Sequence, residues 1–576
     1  MRELLRSTDH KWRIGNVPAA RPYFVRCTIA LSLLSLMASV VTVTARGKLW
    51  LGPQTLVLGC VGLFVGILIT FFAWQLSHAS DAELFDRSWL RPSATIGVVT
   101  ACVIVPVAIT WFAFATFPNS ADEYGFLFQA ETFRHGRLWN HPPVDPGLFA
   151  QNYIVAKNGI WVSQYLPGWP AILTMLEIVH LPPWLAAPLC GAMLLLLLRA
   201  ALRVERTFPA LAVALLLAYA SSGFFLLNSA TYFSHCASAL TVVGSIICML
   251  SAERDPSWRW PAATGALLGF ALLCRIDSAL LVAVAAFIAW IEQGCRRRTL
   301  LFGVAGAMPL LLVFAAYNWL ITGNPLMVPT AWAGNVGIGI HGLQGVENQP
   351  EHFRMLVQTF WRLGELADTA SLVLPALYLA ALIMRARDRK LRFYDAVPIA
   401  NFALFLIFPD LGGFQMGPRY WFDGFVVMHI TVGSAFSQTP IPWRRFAVVC
   451  CLLLIPISLA RLPGQIAFEA RVMRERSSVF RLAAALPSDK RTTILVNDFP
   501  SAWNERFNRT QPNFAKDFAR NGTDLDKPIL FARGDVPDAL GRACAQYPDA
   551  TLLSFHLDRA HPDGWLEPLA CPGTAH

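Results

Sequence analysis

The sequence predicts an all-α polytopic membrane protein that ends in a small α/β domain, on three observations. Of 576 residues 55% are hydrophobic and only 15% charged, and the mean hydropathy is +0.47. That balance excludes an ordinary water-soluble enzyme. The apolar residues gather into about thirteen runs near the length that spans a hydrocarbon core. Beyond residue 461 the pattern changes to short strand-like runs separated by polar turns.

The expected spans lie near 26–44, 50–76, 94–117, 183–198, 208–227, 235–251, 260–274, 277–292, 299–320, 370–384, 394–409, 420–436 and 446–460. A basic, Trp-containing segment precedes the first run and a second span follows at once, so that run reads as a retained helix and not as a cleaved signal peptide. With the N-terminus inside, the inner loops collect Arg87 and Arg91, then Arg199, Arg203 and Arg206, then Arg254 and Arg259. Arg296–Arg298, the cluster Arg385, Arg387, Arg389, Lys390 and Arg392, and Arg444–Arg445 complete the set. About twenty-three basic residues fall inside against about nine in the outer loops, which fixes the orientation by the positive-inside rule. The net charge of +10 is therefore read as topology and not as affinity for nucleic acid. An odd number of spans puts the C-terminal tail outside.

These features divide the chain into an N-terminal part with two spans (1–93), a membrane region (94–460) with long outer loops at 118–182 and 321–369, and a soluble tail (461–576). Within the first loop, Leu166 to His180 is too short and too proline-flanked to span, and is expected in or near the interface. In the tail, 492–496, 528–531 and 550–555 read as buried strands, with a helix over 536–547 between the last two. Most of the twelve cysteines sit inside apolar runs, as small hydrophobes. Cys544 and Cys571 are the two in the tail, and an outside location makes a disulfide between them the expected state.

Chemistry points to Asp122-Glu123, two adjacent carboxylates directly after the third span. A carboxylate pushed to the bilayer centre costs about 2.5–3.5 kcal/mol, so such a pair stays wet at a helix end or serves a polar cavity. Arg419, between Pro418 and Tyr420, offers a planar fork suited to a phosphate, or else snorkels at a helix start. Arg275, with Asp277 two residues on, reads by itself as an ion pair. His235 and His429 read as packed membrane histidines. His135, His141 and Asp145 join the acidic pair as the donors a divalent ion would use, with no spacing that fixes a metal geometry. The chain has neither a Walker motif nor a dinucleotide fingerprint, which disfavours an ATP-driven pump.

In order, the acidic pair with Tyr124, then Trp161-Val162-Ser163-Gln164-Tyr165-Leu166-Pro167-Gly168-Trp169, the run Phe224 to His235, Gly265 to Arg275, and Gly417-Pro418-Arg419-Tyr420 form a layout. It resembles the GT-C superfamily of polytopic glycosyltransferases, which includes bacterial aminoarabinose transferases and protein O-mannosyltransferases. Leu166 stands where many members carry the first Pro of the turn that closes the outer loop. The resemblance implies an inverting glycosyltransferase of the bacterial inner membrane, with a periplasmic tail. It would move a sugar from a polyprenyl-phosphate donor to an envelope lipid, polysaccharide or protein. It also implies that Asp122 and Glu123 are catalytic, that Arg419, Tyr420 and Arg275 bind the donor phosphate, and that Tyr124, Tyr165, Trp169 and His235 line the substrate cavity. A divalent metal ion remains open as a cofactor. The competing expectation is a transporter or flippase of a lipid-linked saccharide. A scaffold for envelope assembly would leave the acidic pair unexplained.

Overall fold

The computed structural model describes residues 92–118, 120–334, 359, 362–363, 366, 369–370, 372–407, 416–497, 518–558 and 560–572. The first two expected spans, Arg87, Arg91, Asn119 and most of the 321–369 loop lie outside these residues. Each remaining expected span falls on one helix, except 208–227, which falls on two. Helix α1 (Pro92–Ala108) closes in a π-helical turn, Ile109–Ala113, after which Ala115 and Thr116 take positive φ and turn the chain out of the bundle. Next come α2 (Ala121–Arg134), the hairpin β1 (Ile154–Lys157) and β2 (Ile160–Ser163), and α3 (Gly168–Ile178). The bundle continues through α4 (Ala186–Val204), α5 (Pro209–Ser221), α6 (Gly223–Ser229), α7 (His235–Arg254), α8 (Arg259–Cys274), α9 (Ile276–Glu292) and α10 (Arg297–Thr322). The short α11 (Pro329–Trp332), then α12 (Val373–Arg387), α13 (Ala396–Ile407), α14 (Phe422–Ser437) and α15 (Ile441–Ala483) complete it.

Among the described residues four helices are individually long and apolar enough to cross a membrane: Pro183–Val204, His235–Arg254, α10 and α15. A fifth counts if α5 and α6 form one span. The run expected as a single span at 208–227 is in fact this pair, bent by 55°. Ser222 makes the break: its Oγ accepts from Phe225 N at 3.2 Å and so caps α6, satisfying a donor that the α5 ladder no longer serves. Helix α10 exposes Leu301, Leu312 and Trp319, as a helix does when its solvent is hydrocarbon.

At the loops expected to be inner, Arg385 Nη1 donates to both oxygens of Asp395, at 2.6 and 2.7 Å, with both side chains almost fully buried. Thr431 Oγ1 and Arg392 N donate to the same carboxylate, and Tyr394 and Ser434 hydroxyls donate to Glu205. One member of the expected surface cluster of positive charge is thus an interior clamp between α12, α14 and the turns at Glu205 and Asp395.

The tail forms a four-stranded sheet in the order β4–β3–β5–β6, where β3 is Thr492–Val496, β4 Ile529–Arg533, β5 Thr551–His556 and β6 Trp565–Leu569. β3 pairs parallel with β4 and β5, β6 runs antiparallel to β5, and α16 (Ala539–Gln546) crosses between β4 and β5. The three expected strands and the helix are present, and β6, with its proline and polar residues, is additional. A disulfide joins Cys544 to Cys571. Helix α15, 43 residues long, runs through residue 461 and packs Val479 and Ala483 under one face of the sheet. The other face meets the first outer loop: Phe128, Leu148, Phe149 and Trp161 share a core with Leu495, Leu530, Ala539 and Ala543. Two bidentate pairs, Arg137 with Asp524 and Arg542 with Asp145, lie beside that contact.

Candidate active site at the outer loop

The site is built on the first turn of α2. Ser120 is the N-cap, and Glu123 completes a capping box by accepting from Ser120 N at 2.8 Å. The other oxygen of Glu123 accepts from Tyr232 N at 2.7 Å, so this fully buried carboxylate staples α2 to the turn between α6 and α7. Glu123 was expected as the second acid of the site; the structure places both of its oxygens on backbone amides. That placement aims Asp122, its neighbour, in a different direction.

Asp122 meets residues from two distant segments. Arg419 Nη2 donates to Asp122 Oδ2 at 3.0 Å, and the Tyr165 hydroxyl donates to Oδ1. Exposure of the two charged side chains is small, 11% for Arg419 and 19% for Asp122. Burial disfavours the Asp122 anion, but the Arg419 charge and the Tyr165 hydrogen bond outweigh it and hold the carboxyl below its ordinary range. The Tyr165 phenol is pushed well above its ordinary value by burial and by the adjacent Asp122 charge, so it remains a donor.

Gly417 delivers Arg419 to this point. Its φ of +78° starts the turn, and a Cβ there would sit 2.6 Å from Thr369 Oγ1 and 2.9 Å from Phe224. Asn228 Nδ2, on α6, donates to Met416 O at 2.9 Å and pins the same turn from the broken span. The guanidinium then stacks over Phe233, 4.2 Å from the ring centroid, and flanks Tyr420 at 5.6 Å. Arg275 approaches Tyr420 at 5.4 Å while donating to Asp277 at 2.8 Å, the expected ion pair. His235 packs edge-on to Tyr420, with centroids 6.3 Å apart. Gly168 lets α3 close on the end of α8 just before Arg275, since a Cβ would stand 2.7 Å from the Leu273 carbonyl carbon.

Asp122, Tyr165, Arg419, Tyr420, Arg275 and His235 are thus brought together from five separate stretches of sequence. Tyr124 and Trp169, expected in the cavity, are fully buried in the bundle core instead. Trp169 Nε1 donates to Tyr232 O at 2.7 Å, so it supports the turn behind the site. Among the described residues no three His, Cys, Asp or Glu side chains gather as a metal site. Of the donors considered for one, Asp145 is paired with Arg542, His135 lies 3.2 Å from Glu131, and Glu123 serves amides. Sequence reasoning missed Asp423, whose carboxylate accepts from Ser238 Oγ at 3.1 Å and from Ser278 Oγ behind Arg275. A lone acid in the apolar run of α14 was the signal for it.

The chain is similar in structure to ArnT from Cupriavidus metallidurans bound to undecaprenyl phosphate. The TM-score is 0.51 at 14% identity, over 82% of this chain and 94% of that one. The fold is that of the GT-C glycosyltransferases. The apo state of the same ArnT gives a TM-score of 0.50 at 14% identity, over 80% and 93% of the two chains. The Archaeoglobus fulgidus oligosaccharyltransferase is also similar, at 0.46 and 12% identity over 81% and 70%. No family model matches the chain, and no curated protein matches it in sequence. At these identities the likeness carries the GT-C fold, and the chemistry rests on the residues of this chain.

Proposed function

We propose that the protein is an inverting glycosyltransferase that moves a sugar from a polyprenyl-phosphate donor to an envelope acceptor at the outer face of a bacterial inner membrane. The observation that carries this reading is the meeting of Asp122 with Arg419 and Tyr165 at the mouth of an apolar bundle. A lipid-linked donor keeps its prenyl tail among helices and its phosphate at the interface, where Arg419, flanked by Tyr420 and Arg275, supplies positive charge to a leaving phosphate. Asp122 takes the proton of the acceptor hydroxyl as its oxygen bonds to the anomeric carbon. The bond from that carbon to the phosphate oxygen breaks, and polyprenyl phosphate leaves with the electron pair. Attack opposite the leaving group gives inversion. Glu123 and Trp169 hold the frame, and Tyr165 orients the base. The ArnT structure with undecaprenyl phosphate supports a donor of this class.

The broken α5–α6 pair is the one feature a transporter of lipid-linked saccharides would also use. Reconstitution with radiolabelled polyprenyl-phosphate sugars and an extract of envelope acceptors separates the two. Acceptor-dependent release of free polyprenyl phosphate is the expected result. Movement of intact donor between leaflets without cleavage would replace the enzyme by the transporter.

A further inference from the structure

Both oxygens of Asp122 are occupied: Oδ1 by the Tyr165 hydroxyl and Oδ2 by Arg419, with Ser120 Oγ a further 3.4 Å contact on Oδ2. A carboxylate held in that way has its negative charge engaged by internal donors, which makes it a weaker base toward an incoming hydroxyl. Arg419 stands in the complementary position: the guanidinium best placed to receive a phosphate beside Phe233 and Tyr420 is held by an internal anion. Arg275 is likewise held by Asp277. The cationic side of the site is therefore neutralised from within until a stronger anion arrives.

We propose that the donor phosphate and Asp122 compete for Arg419, so that donor binding unmasks the base. A phosphate carries more charge than a carboxylate and matches the guanidinium fork, so it draws Arg419 away from Oδ2. Freed on one oxygen and still oriented through the other by Tyr165, Asp122 then accepts the hydroxyl proton of the acceptor. The exchange imposes an order, donor before acceptor activation, and it keeps the base quiet in a site without donor, where an acceptor or water would otherwise occupy it. The inference rests on the glycosyl-transfer reading and adds to it the coupling between its two halves.

The coupling is measured with polyprenyl phosphate itself, in nanodiscs of neutral phosphatidylcholine so that no anionic headgroup competes for Arg419. Asp122→Asn and Asp122→Ala both remove the internal competitor, and each is expected to bind the phosphate about tenfold more tightly than the parent, as when a site previously competent a tenth of the time becomes fully competent. Asp122→Glu restores a carboxylate and should return the affinity toward the parental value. Adding Arg419→Ala to Asp122→Asn should abolish the gain. Should the parent release carrier phosphate in an acceptor-dependent way while neither neutral variant binds more tightly, the competition is overturned and the enzymatic reading stands. A parent that neither binds polyprenyl phosphate nor releases it overturns both.

Discussion

At the scale of single residues, Asp122 and Arg419 are in contact yet have separable roles. Asp122→Asn keeps the shape and removes the base, and turnover should fall by about 10²–10⁴-fold while polyprenyl phosphate still binds. Arg419→Ala should instead weaken donor binding, because the phosphate loses a charge-assisted contact. Single-turnover rates and donor titrations on folded, inserted variants check both, and a parental rate for saturated Asp122→Asn removes Asp122 as the base. The pH profile follows from the depressed pKa of the same carboxyl. A base whose pKa is lowered stays ionised above that value and loses function only as the pH falls through it. The acid limb of kcat/KM, which reports the free enzyme, is therefore expected below the ordinary carboxylate value of about 3.9. Once phosphate holds Arg419, the Asp122 anion loses part of its support, and the acid limb of kcat should move to higher pH. Coincident limbs, both near pH 6, would contradict this electrostatic account.

At the scale of elements, the structure holds its helices with buried polar clamps as well as apolar packing. The Asp395 carboxylate receives Arg385, Thr431 and the Arg392 amide, so every oxygen is served. Asp395→Ala leaves the Arg385 charge buried without that partner, a change that costs about 3–5 kcal/mol in comparable sites. A marked fall in the unfolding temperature in detergent is the expected result, and an unchanged one would show that the clamp contributes little. The outer end uses the same device on a smaller scale. Glu123 joins the α2 capping box to Tyr232, and Asn228 joins α6 to Met416, so hydrogen bonds tie α2, the α6–α7 turn and the Arg419 turn together.

For the whole molecule, the tail is packed against the segment that carries the candidate site. Its sheet is gripped between the end of α15 and the first outer loop, the segment that also carries Asp122 and Tyr165. The Cys544–Cys571 disulfide closes a separation of 27 residues. In the chain-entropy picture that closure contributes on the order of 3 kcal/mol. Reductant, or a Cys544→Ser, Cys571→Ser double variant, should make the tail more sensitive to protease, and thiol labelling without reductant should find both cysteines blocked. We propose from the basic bias of the expected inner loops that this tail lies outside. A reporter active only in the periplasm, fused after His576, is expected to be active, and cytoplasmic activity of the complementary reporter would invert the topology.

Much of this architecture was legible in the chain. Apolar runs of spanning length gave the helices, because a hydrocarbon solvent demands continuous local hydrophobicity and internal backbone hydrogen bonds. The strands Thr492–Val496 and Ile529–Arg533 were legible from short β-branched and aromatic runs, and Asp122 and Arg419 from charge at the edges of apolar text. Other features were invisible to such reading. The 55° break at Ser222 is marked in the sequence only by Ser221-Ser222-Gly223 within an otherwise apolar run, and α15 continues past residue 461 through polar sequence because the tail sheet packs on it. The Ser120-x-x-Glu123 spacing marks Glu123 as a capping-box acid, but only the fold turns Asp122 toward Arg419 and the second oxygen of Glu123 toward the Tyr232 amide. Composition and local pattern, which act between near neighbours, determined where the helices lie and which residue types could do chemistry. Only the tertiary structure decided which of them meet, because Arg419 reaches Asp122 across 297 positions, and such a pairing is set by packing.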